Sequence, residues 1–300
     1  MKNSVLWGSL LVAIGASSYG VLTTFVRMAY AEGFSPTEVV FSQYLLGFFG
    51  LVLLVFFGKK RGKHPVKPTK AKIYKLILAG TSFGLTTVFY YFAVRSISVS
   101  IGIVLLMQSV WMGIALEAFL QKRLPSKIKL FSVAVILMGT FLATNLFLED
   151  AEINPQGIGF GLLAAVSFTA AIFASNKLAV ELPALVRSKW LAFGGLITVS
   201  LVAFPSLITN FNPAILYSWG LVLGIFGSIL PPVFLTLGMP KIKLGIGAII
   251  TSMELPVAML AAYFLLGEKI TLHQWIGVAL ILVAIMGMNL MGLLKKEKGK

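Results

Sequence analysis

Long apolar blocks separated by short polar breaks fill the chain. Ten such blocks lie at about 5–28, 36–57, 73–94, 97–120, 130–147, 157–176, 186–208, 216–238, 244–266 and 274–294. Because a helix needs about 20 apolar residues to cross a bilayer core, the pattern predicts ten transmembrane helices and no soluble domain. The first block stays apolar as far as Met28, which is long for a cleaved signal peptide, so we interpret it as a retained span.

The charge distribution indicates the orientation of these spans. Hydrophobic residues make up 58% of the 300 residues and charged residues 12%, which is typical of a membrane protein. With a cytoplasmic N-terminus, every lysine and arginine except Arg27, Arg95 and Lys269 falls on the cytoplasmic side. The net charge of +15 therefore needs no nucleic-acid partner. We predict cytoplasmic termini and a location in the cell inner (plasma) membrane, with the lipid bilayer as a partner.

Three polar segments agree with this orientation. The connection 58–72 is basic and contains two prolines, so we expect it to contact anionic lipid headgroups from the cytoplasm. The connection 149–156 is acidic and is predicted to lie outside. Residues 295–300 form a basic cytoplasmic tail.

Residue types exclude several kinds of chemistry. The chain has no cysteine and two histidines, so thiol catalysis, disulfides and clustered metal ligands are excluded, and we predict no metal and no cofactor. Residues 80–84 fit a nucleophile-elbow pattern and residues 159–164 fit a loose dinucleotide pattern. Both lie inside predicted membrane helices, so we interpret their glycines as helix-packing positions.

The chain contains an internal repeat. A shift of 146 residues superposes the second to fifth spans on the seventh to tenth, and it pairs Arg95 with Lys241 and Gln108 with Glu254. Each half has five spans, an odd number, so the second half enters the membrane from the opposite side. Inverted repeats of this kind are typical of secondary transporters. We predict one repeat over 1–148 and the other over 153–294.

The stretch "GAIITSMELPVAMLAAYFLLGEKITLHQWIGVALILVAIMGMNL" resembles the closing segment of the EamA family of the drug/metabolite transporter superfamily. The residues that match that pattern are Glu254, Pro256, Gly267, Glu268, Thr271, Gln274 and Gly277. The first half departs from it, since Val110 takes the proline position and Lys122 and Arg123 replace the Gly-Glu pair. The resemblance implies ten helices in two inverted five-helix repeats, cytoplasmic termini and the export of amino acids or other metabolites.

Glu254 is the leading candidate for a functional residue. It lies 11 residues beyond Lys243, or about 17 Å into the ninth span, near the middle of the bilayer. A charge there costs about 2.5–3.5 kcal/mol, so we expect Glu254 to face a partner or a water-filled cavity. Desolvation favours the protonated carboxyl and makes proton binding feasible. Three roles stay open: binding the ammonium of a substrate, cycling a proton, or forming a structural hydrogen bond.

Prolines add backbone polarity at the same depth. Pro256 cannot donate to the carbonyl of Ser252, so we expect that carbonyl to be free beside Glu254. Pro231 and Pro232 are expected to free two carbonyls of the eighth span in the same way. Such groups are tolerated in membranes where they line protein or water.

Further candidates line other spans. Gln108 is the repeat partner of Glu254, and Trp111 follows one turn later on the same face. Additional candidate binding residues are Tyr19, Gln43 and Tyr90, together with Thr23, Tyr44, Tyr91 and Trp190. For Trp190, which follows Lys189, an anchoring role at the membrane interface is the alternative. Glu117 is five residues from Lys122 and can reach the interface, so we assign it a structural role.

Together these patterns favour a secondary transporter over an enzyme. We predict alternating-access export of a small polar or amphipathic metabolite such as an amino acid, with proton coupling as an option, by a monomer or homodimer. The alternative is a membrane-embedded enzyme that modifies lipids, which would need a paired nucleophile and base or a metal cluster. A channel would need charged rings or a carbonyl filter that this sequence lacks.

Overall fold

The computed structural model describes residues 2–58, 68–144 and 154–294, and these ranges contain helices and turns but no strands. The helices of the first part are α1 Lys2–Ala31, α2 Pro36–Gly58, α3 Lys70–Val94, α4 Val99–Leu106, α5 Ser109–Gln121 and α6 Lys127–Ala143. The second part contains α7 Pro155–Lys177, α8 Ala184–Thr209, α9 Ala214–Ser218, α10 Gly220–Leu223, a π-helix Gly224–Ile229, α11 Leu230–Gly238, a 3₁₀ turn Met239–Lys241, α12 Leu244–Thr251, α13 Glu254–Leu266 and α14 Leu272–Leu294.

Polar side chains fix where several helices begin. Thr69, Ser98, Ser126 and Asn154 each precede a helix, and each side chain accepts a hydrogen bond from a backbone N–H of its first turn. These bonds satisfy donors that have no partner within the helix. The starts of α3, α4, α6 and α7 are therefore set locally by the sequence.

The helices agree in length and composition with a membrane protein. Eight spans are long and apolar enough to cross a bilayer, where α4 with α5, the segment from α10 to the 3₁₀ turn, and α12 with α13 each count as one span. The fifth and tenth predicted spans correspond to α6 and α14, whose apolar parts within the described residues are 17 residues long. The count of ten spans and the cytoplasmic termini stay predictions. Most of the basic connection 58–72, most of the acidic connection 149–156 and the tail 295–300 lie outside the described residues.

The outer surface of the bundle is apolar. Large hydrophobic side chains are exposed along many helices, among them Phe56, Phe119, Phe131, Leu201, Phe204 and Phe264. A soluble protein rarely exposes so many large apolar side chains, whereas lipid accepts them. The protein is therefore a multi-pass membrane protein.

Helices of each half pack against helices of the other half. α3 packs against α7 and α8, and its repeat counterpart, the segment from the π-helix to α11, packs against α1 and α2. Two further close pairs, α2 with α8 and α6 with α14, each join a helix to its own counterpart. The core draws buried apolar residues from both halves, including Val12, Phe83, Ile136, Leu191 and Ile281. This pattern agrees with a duplicated bundle.

The packing glycines were predicted correctly at three of four positions. A Cβ at Gly80 would collide with the Leu191 carbonyl, and one at Gly84 would lie 2.7 Å from the Gly195 carbonyl. Gly161 likewise approaches Leu105, at 2.5 Å. Gly159, however, has no neighbour within 4 Å among the described atoms, so its packing role is not seen.

The structure corrects the register of the repeat by one residue. α4 and α12 are both interrupted after eight residues, and the breaks at Met107 and Ser252 have φ,ψ of −66°, −11° and −64°, −8°. α5 and α13 both run for 13 residues and both end at a left-handed residue, Lys122 or Gly267. These features match at a shift of 145, not 146. The pairing of Gln108 with Glu254 was wrong: the backbone counterpart of Glu254 is Ser109.

Candidate functional site

Glu254 begins α13 directly after the break in the ninth span. Its side chain is partly exposed, and its carboxylate makes no hydrogen bond or ion pair with the residues that the structure describes. The carboxylate interacts electrostatically with the phenol groups of Tyr19 and Tyr90. Two other predicted site residues, Tyr19 of α1 and Tyr90 of α3, therefore lie within electrostatic range of the unpaired acidic group of α13.

Close packing of α1 on α13 brings this group together. Gly20 lies against the backbone of α13, where an added Cβ would collide with the carbonyl oxygen of Glu254 and lie 2.8 Å from the backbone nitrogen of Ala258. Only a glycine permits this approach. It holds Tyr19, the preceding residue, at the depth of the acidic group. Tyr19 also packs edge-on against Phe168, with ring centroids 6.4 Å apart.

A small cavity lies beside Tyr19. It is lined by Tyr19, Tyr44, Phe83, Ala192, Gly227, Ser228 and Pro232. Its volume is about 10 Å³ for the centre of a water-sized sphere, which is room for about one water molecule. Tyr44 forms a 3.3 Å hydroxyl–hydroxyl hydrogen bond with Thr87 at its edge. The cavity is therefore polar in part but closed to a solute in this conformation.

Gln43 approaches the same cavity from α2. Its amide nitrogen donates to the Ser228 hydroxyl at 3.4 Å, and its side chain packs against Gly227. Gln43 and Tyr19 thus lie beside one central cavity, as expected of residues from one site.

The eighth span contains a local irregularity at this cavity. Gly224–Ile229 forms a π-helix, and Pro231 and Pro232 follow it in the first turn of α11. The N–H of Leu230 donates to the carbonyl of Ile225, a π-type bond. Single π-turns frequently occur at functional sites. The prolines were predicted, but the π-helix was not, because its wider bonding pattern has no signature in composition.

The expectation of a free Ser252 carbonyl was wrong. Pro256 is buried and cannot donate to it, but the N–H of Leu255 donates at 3.3 Å. The chain tightens to a shorter bond at the break, which is the usual way of satisfying a terminal carbonyl. The Ser252 hydroxyl donates to the carbonyl of Ile249 at 2.6 Å. Both groups shape the break and leave Glu254 as the unpaired one.

Gln108 and Trp111 form a pair of their own. The Trp111 indole N–H donates to the Gln108 side-chain oxygen at 2.9 Å, and the Gln108 amide donates to the Val104 carbonyl at 2.9 Å. Trp111 is 43% exposed. Neither residue forms a hydrogen bond to Glu254, so their place in the same site stays a prediction.

The chain is also similar to a known family of proteins. The sequence model of the EamA-like transporter family matches residues 6–145 and 155–290. The chain belongs to this family.

Two relatives of this EamA-like protein are also named as transporters. An "Uncharacterized transporter" of Archaeoglobus fulgidus is 27% identical over 281 residues, which is 93% of this chain and 95% of that protein. An "Uncharacterized transporter" of Helicobacter pylori is 25% identical over 99% of both chains. A crystal structure matches with a TM-score of 0.71 at 14% identity, over 94% of this chain and 96% of its own, and this likeness shows the fold. The protein is therefore a membrane transporter.

Glu117 ties the two halves of this EamA-like transporter together. It is 5% exposed, and its carboxylate pairs with the Lys129 ammonium and accepts the backbone N–H of Gly245. Gly245 lies in the first turn of α12, where an acidic group also interacts favourably with the helix dipole. The structural role assigned to Glu117 is confirmed, although the residue is buried rather than extended towards the interface.

Arg187 is a buried cation that the sequence reasoning counted only as a surface charge. It is 1% exposed. Its guanidinium donates to the carbonyls of Leu178 at 2.9 Å, Thr236 at 2.8 Å and Ser175 at 2.7 Å. These acceptors lie near the C-terminal ends of α7 and α11, where a cation is favourable. Backbone acceptors from distant helices leave no signal in the sequence.

Metal chemistry has no visible basis in the described parts of the chain. Among residues 2–58, 68–144 and 154–294, no group of three or more histidine, aspartate or glutamate side chains could hold a metal ion. Glu254 is instead a carboxylate without a hydrogen-bond or ion-pair partner among the described residues, within electrostatic range of two phenols. Such a carboxylate can bind a proton or a cationic amine.

Proposed function

We propose that this transporter exports amino acids, or similar small polar or amphipathic metabolites, across the cell inner (plasma) membrane by alternating access coupled to protons at Glu254. The repeats 1–148 and 153–294 exchange their roles between the two access states. One chain holds the whole site in this proposal.

The unpaired Glu254 carboxylate is the observation that carries the proposal. It lies within a predicted membrane span and makes no hydrogen bond or ion pair with the described residues. An acidic group at this depth is costly unless it is neutralised. Its neutralising partner therefore comes from outside the protein, as a proton or as the ammonium of a solute.

The neighbours of Glu254 favour an amine-bearing solute. Tyr19 and Tyr90 lie within electrostatic range of it, and phenol rings interact favourably with cations through their faces. Gln43 and Ser228, at the nearby cavity, offer hydrogen bonds to a polar group of the same solute. This combination fits a small metabolite with an ammonium group and a second polar end.

Counterflow in liposomes tests the proposal. Purified protein is reconstituted, loaded with unlabelled amino acids one at a time, and assayed for uptake of the labelled compound with and without a pH gradient. We expect Glu254→Gln to lower uptake at least about tenfold, the loss expected for one charge-assisted interaction, and to abolish stimulation by the gradient. Glu181→Gln, an exposed residue paired with Lys72, is the matched control and should transport normally.

Two results would count against this reading. Uptake by Glu254→Gln at the parent rate, with unchanged pH dependence, would remove Glu254 from the mechanism. Turnover of bilayer lipid by the same preparation, without counterflow of any solute, would favour the lipid-modifying enzyme instead.

A further inference from the structure

The two ends of the bundle pack differently where the halves meet. α5 packs against α12, whereas their repeat counterparts, α13 and α4, make no comparable contact. Nearly all of α12 is buried, but α4 buries only Gly102. At the closed end a Cβ added to Gly113 would lie 2.5 Å from the Cβ of Ala248. The structure is therefore closed at the α5–α12 end and looser at the α4–α13 end.

The two equivalent residues Ser109 and Glu254 differ in their burial. Ser109 and Glu254 each begin the helix that follows the break in their half. Glu254 is partly exposed, whereas Ser109 is 1% exposed and its hydroxyl has no hydrogen-bond partner among the described residues. A buried hydroxyl without a partner is unfavourable. The Ser109 hydroxyl is thus unsatisfied in this state and gains by becoming accessible.

We propose that Ser109 is a further solute-contacting residue, which faces the transport pathway when the α5–α12 end opens and the α4–α13 end closes. This inference rests on the proposed alternating-access function. In inverted-repeat transporters the halves exchange conformations, so each residue adopts the environment of its counterpart. Ser109 then occupies the exposed position that Glu254 holds now, and its hydroxyl binds a polar group of the solute.

The exchange also constrains Glu254. In the other state Glu254 takes the buried environment that Ser109 occupies here. Ser109 is a neutral hydroxyl, and its burial is tolerable, whereas an unpaired carboxylate in that position is far more costly. Glu254 must therefore carry a proton or a bound ammonium before the exchange proceeds. The difference between the two residues couples binding to the conformational change.

Single-cysteine labelling tests the inference, because the chain has no native cysteine. Ser109→Cys is reacted in detergent with a water-soluble maleimide, which reaches both ends of the bundle. The neighbouring Val110→Cys is the matched control, since Val110 and its counterpart Leu255 are both buried, so this position is buried in either state. Each is measured alone and together with Glu117→Ala, which removes the carboxylate that joins α5 to α12.

We expect Ser109→Cys to react slowly alone and at least about tenfold faster with Glu117→Ala, while Val110→Cys stays slow in both. Equal acceleration at both positions indicates general loosening, and no acceleration at Ser109→Cys means that it is not exposed; either outcome overturns the inference. Labelling needs no solute, so failure of counterflow with the expected labelling would instead refute the proposed function.

Ser109→Ala provides a second measurement that does not depend on the thiol. We expect the solute concentration for half-maximal uptake to rise about three- to tenfold, as for loss of one hydrogen bond. Its thermal unfolding midpoint should not fall and should rise slightly, because the substitution removes a buried hydroxyl that has no partner in this state. Unchanged uptake would contradict a solute contact, and a lowered midpoint would indicate a structural role.

Discussion

The ion pair of Glu117 should decide which end of the transporter is closed. Its carboxylate joins α5 to Lys129 of α6 and to the Gly245 N–H of α12. At the other end the equivalent position is Ala262, which cannot form this link. The closed α5–α12 end therefore has a stabilising contact that the α4–α13 end lacks. We call this contact of Glu117 with Lys129 and Gly245 the lock.

The size of the effect follows from burial. The side chains of Lys129 and Glu117 are 12% and 7% exposed. Removing one partner of a buried ion pair typically costs about 3–5 kcal/mol, because the other charge is left uncompensated. Lys129 and the Gly245 N–H regain water when this end opens, so the cost falls on the closed state. A shift of about 3 kcal/mol changes the ratio of the two states about 150-fold.

Spin-label distances measure this ratio. Arg123→Cys and Lys243→Cys place labels on exposed residues at this end of α5 and α12, and their distance distribution is recorded in Glu117 and Glu117→Ala backgrounds. We expect a longer distance to dominate after Glu117→Ala. Glu117→Gln should give a smaller shift, because its amide oxygen still accepts the Gly245 N–H while the ion pair is lost.

A matched control lies elsewhere in the bundle. Glu268 pairs with Arg27, but their side chains are 40% and 55% exposed, and exposed pairs contribute about 0–1 kcal/mol. Glu268→Ala should leave the distance distribution nearly unchanged. If Glu117→Ala gives the parent distribution, or if Glu268→Ala gives an equal shift, the lock does not exist.

Two predictions concern stability, measured as thermal unfolding in detergent. Arg187→Ala leaves three buried carbonyls without their cationic donor, so we expect the free energy of unfolding to fall by about 3–5 kcal/mol. The control Arg123→Ala, at an exposed residue, should change it by less than about 0.5 kcal/mol. Equal unfolding midpoints for the two variants would contradict the role of Arg187. Lys122 has a left-handed φ of 49°, so Lys122→Gly should stabilise by about 1 kcal/mol, and Gly267→Ala, at φ 68°, should destabilise by a similar amount. The same sign for both would contradict this reasoning.

The sequence predicted the helices because apolar blocks separated by polar breaks are a local pattern. Glu254 was singled out as a candidate because an acid deep within an apolar span is also visible locally. Its unpaired state, and the approach of Tyr19 and Tyr90 to within electrostatic range, depend on tertiary structure, such as the packing of α1 on α13. Composition indicates that such a residue needs a partner but cannot say which groups approach it.

The register of the repeat could not be read from the sequence for a related reason. In apolar spans neighbouring shifts place similar residues opposite one another, so a shift of 146 matched Gln108 with Glu254 as plausibly as a shift of 145 matched Ser109 with it. The backbone distinguishes the two shifts, because the breaks at Met107 and Ser252 adopt the same dihedral angles. Duplicated geometry is thus a stronger criterion for equivalence than residue type.

The differences between equivalent residues allow a duplicated bundle to couple ligand binding to its conformational change. Two identical halves would give two access states of equal energy, and a ligand would favour neither. In our proposal Glu117 opposite Ala262 favours one state, and Glu254 opposite Ser109 makes the exchange depend on a bound proton or ammonium. A ligand overcomes a lock only by its difference in affinity between the states. With a lock of the expected size, about 3 kcal/mol, we expect the solute and proton together to supply a comparable difference.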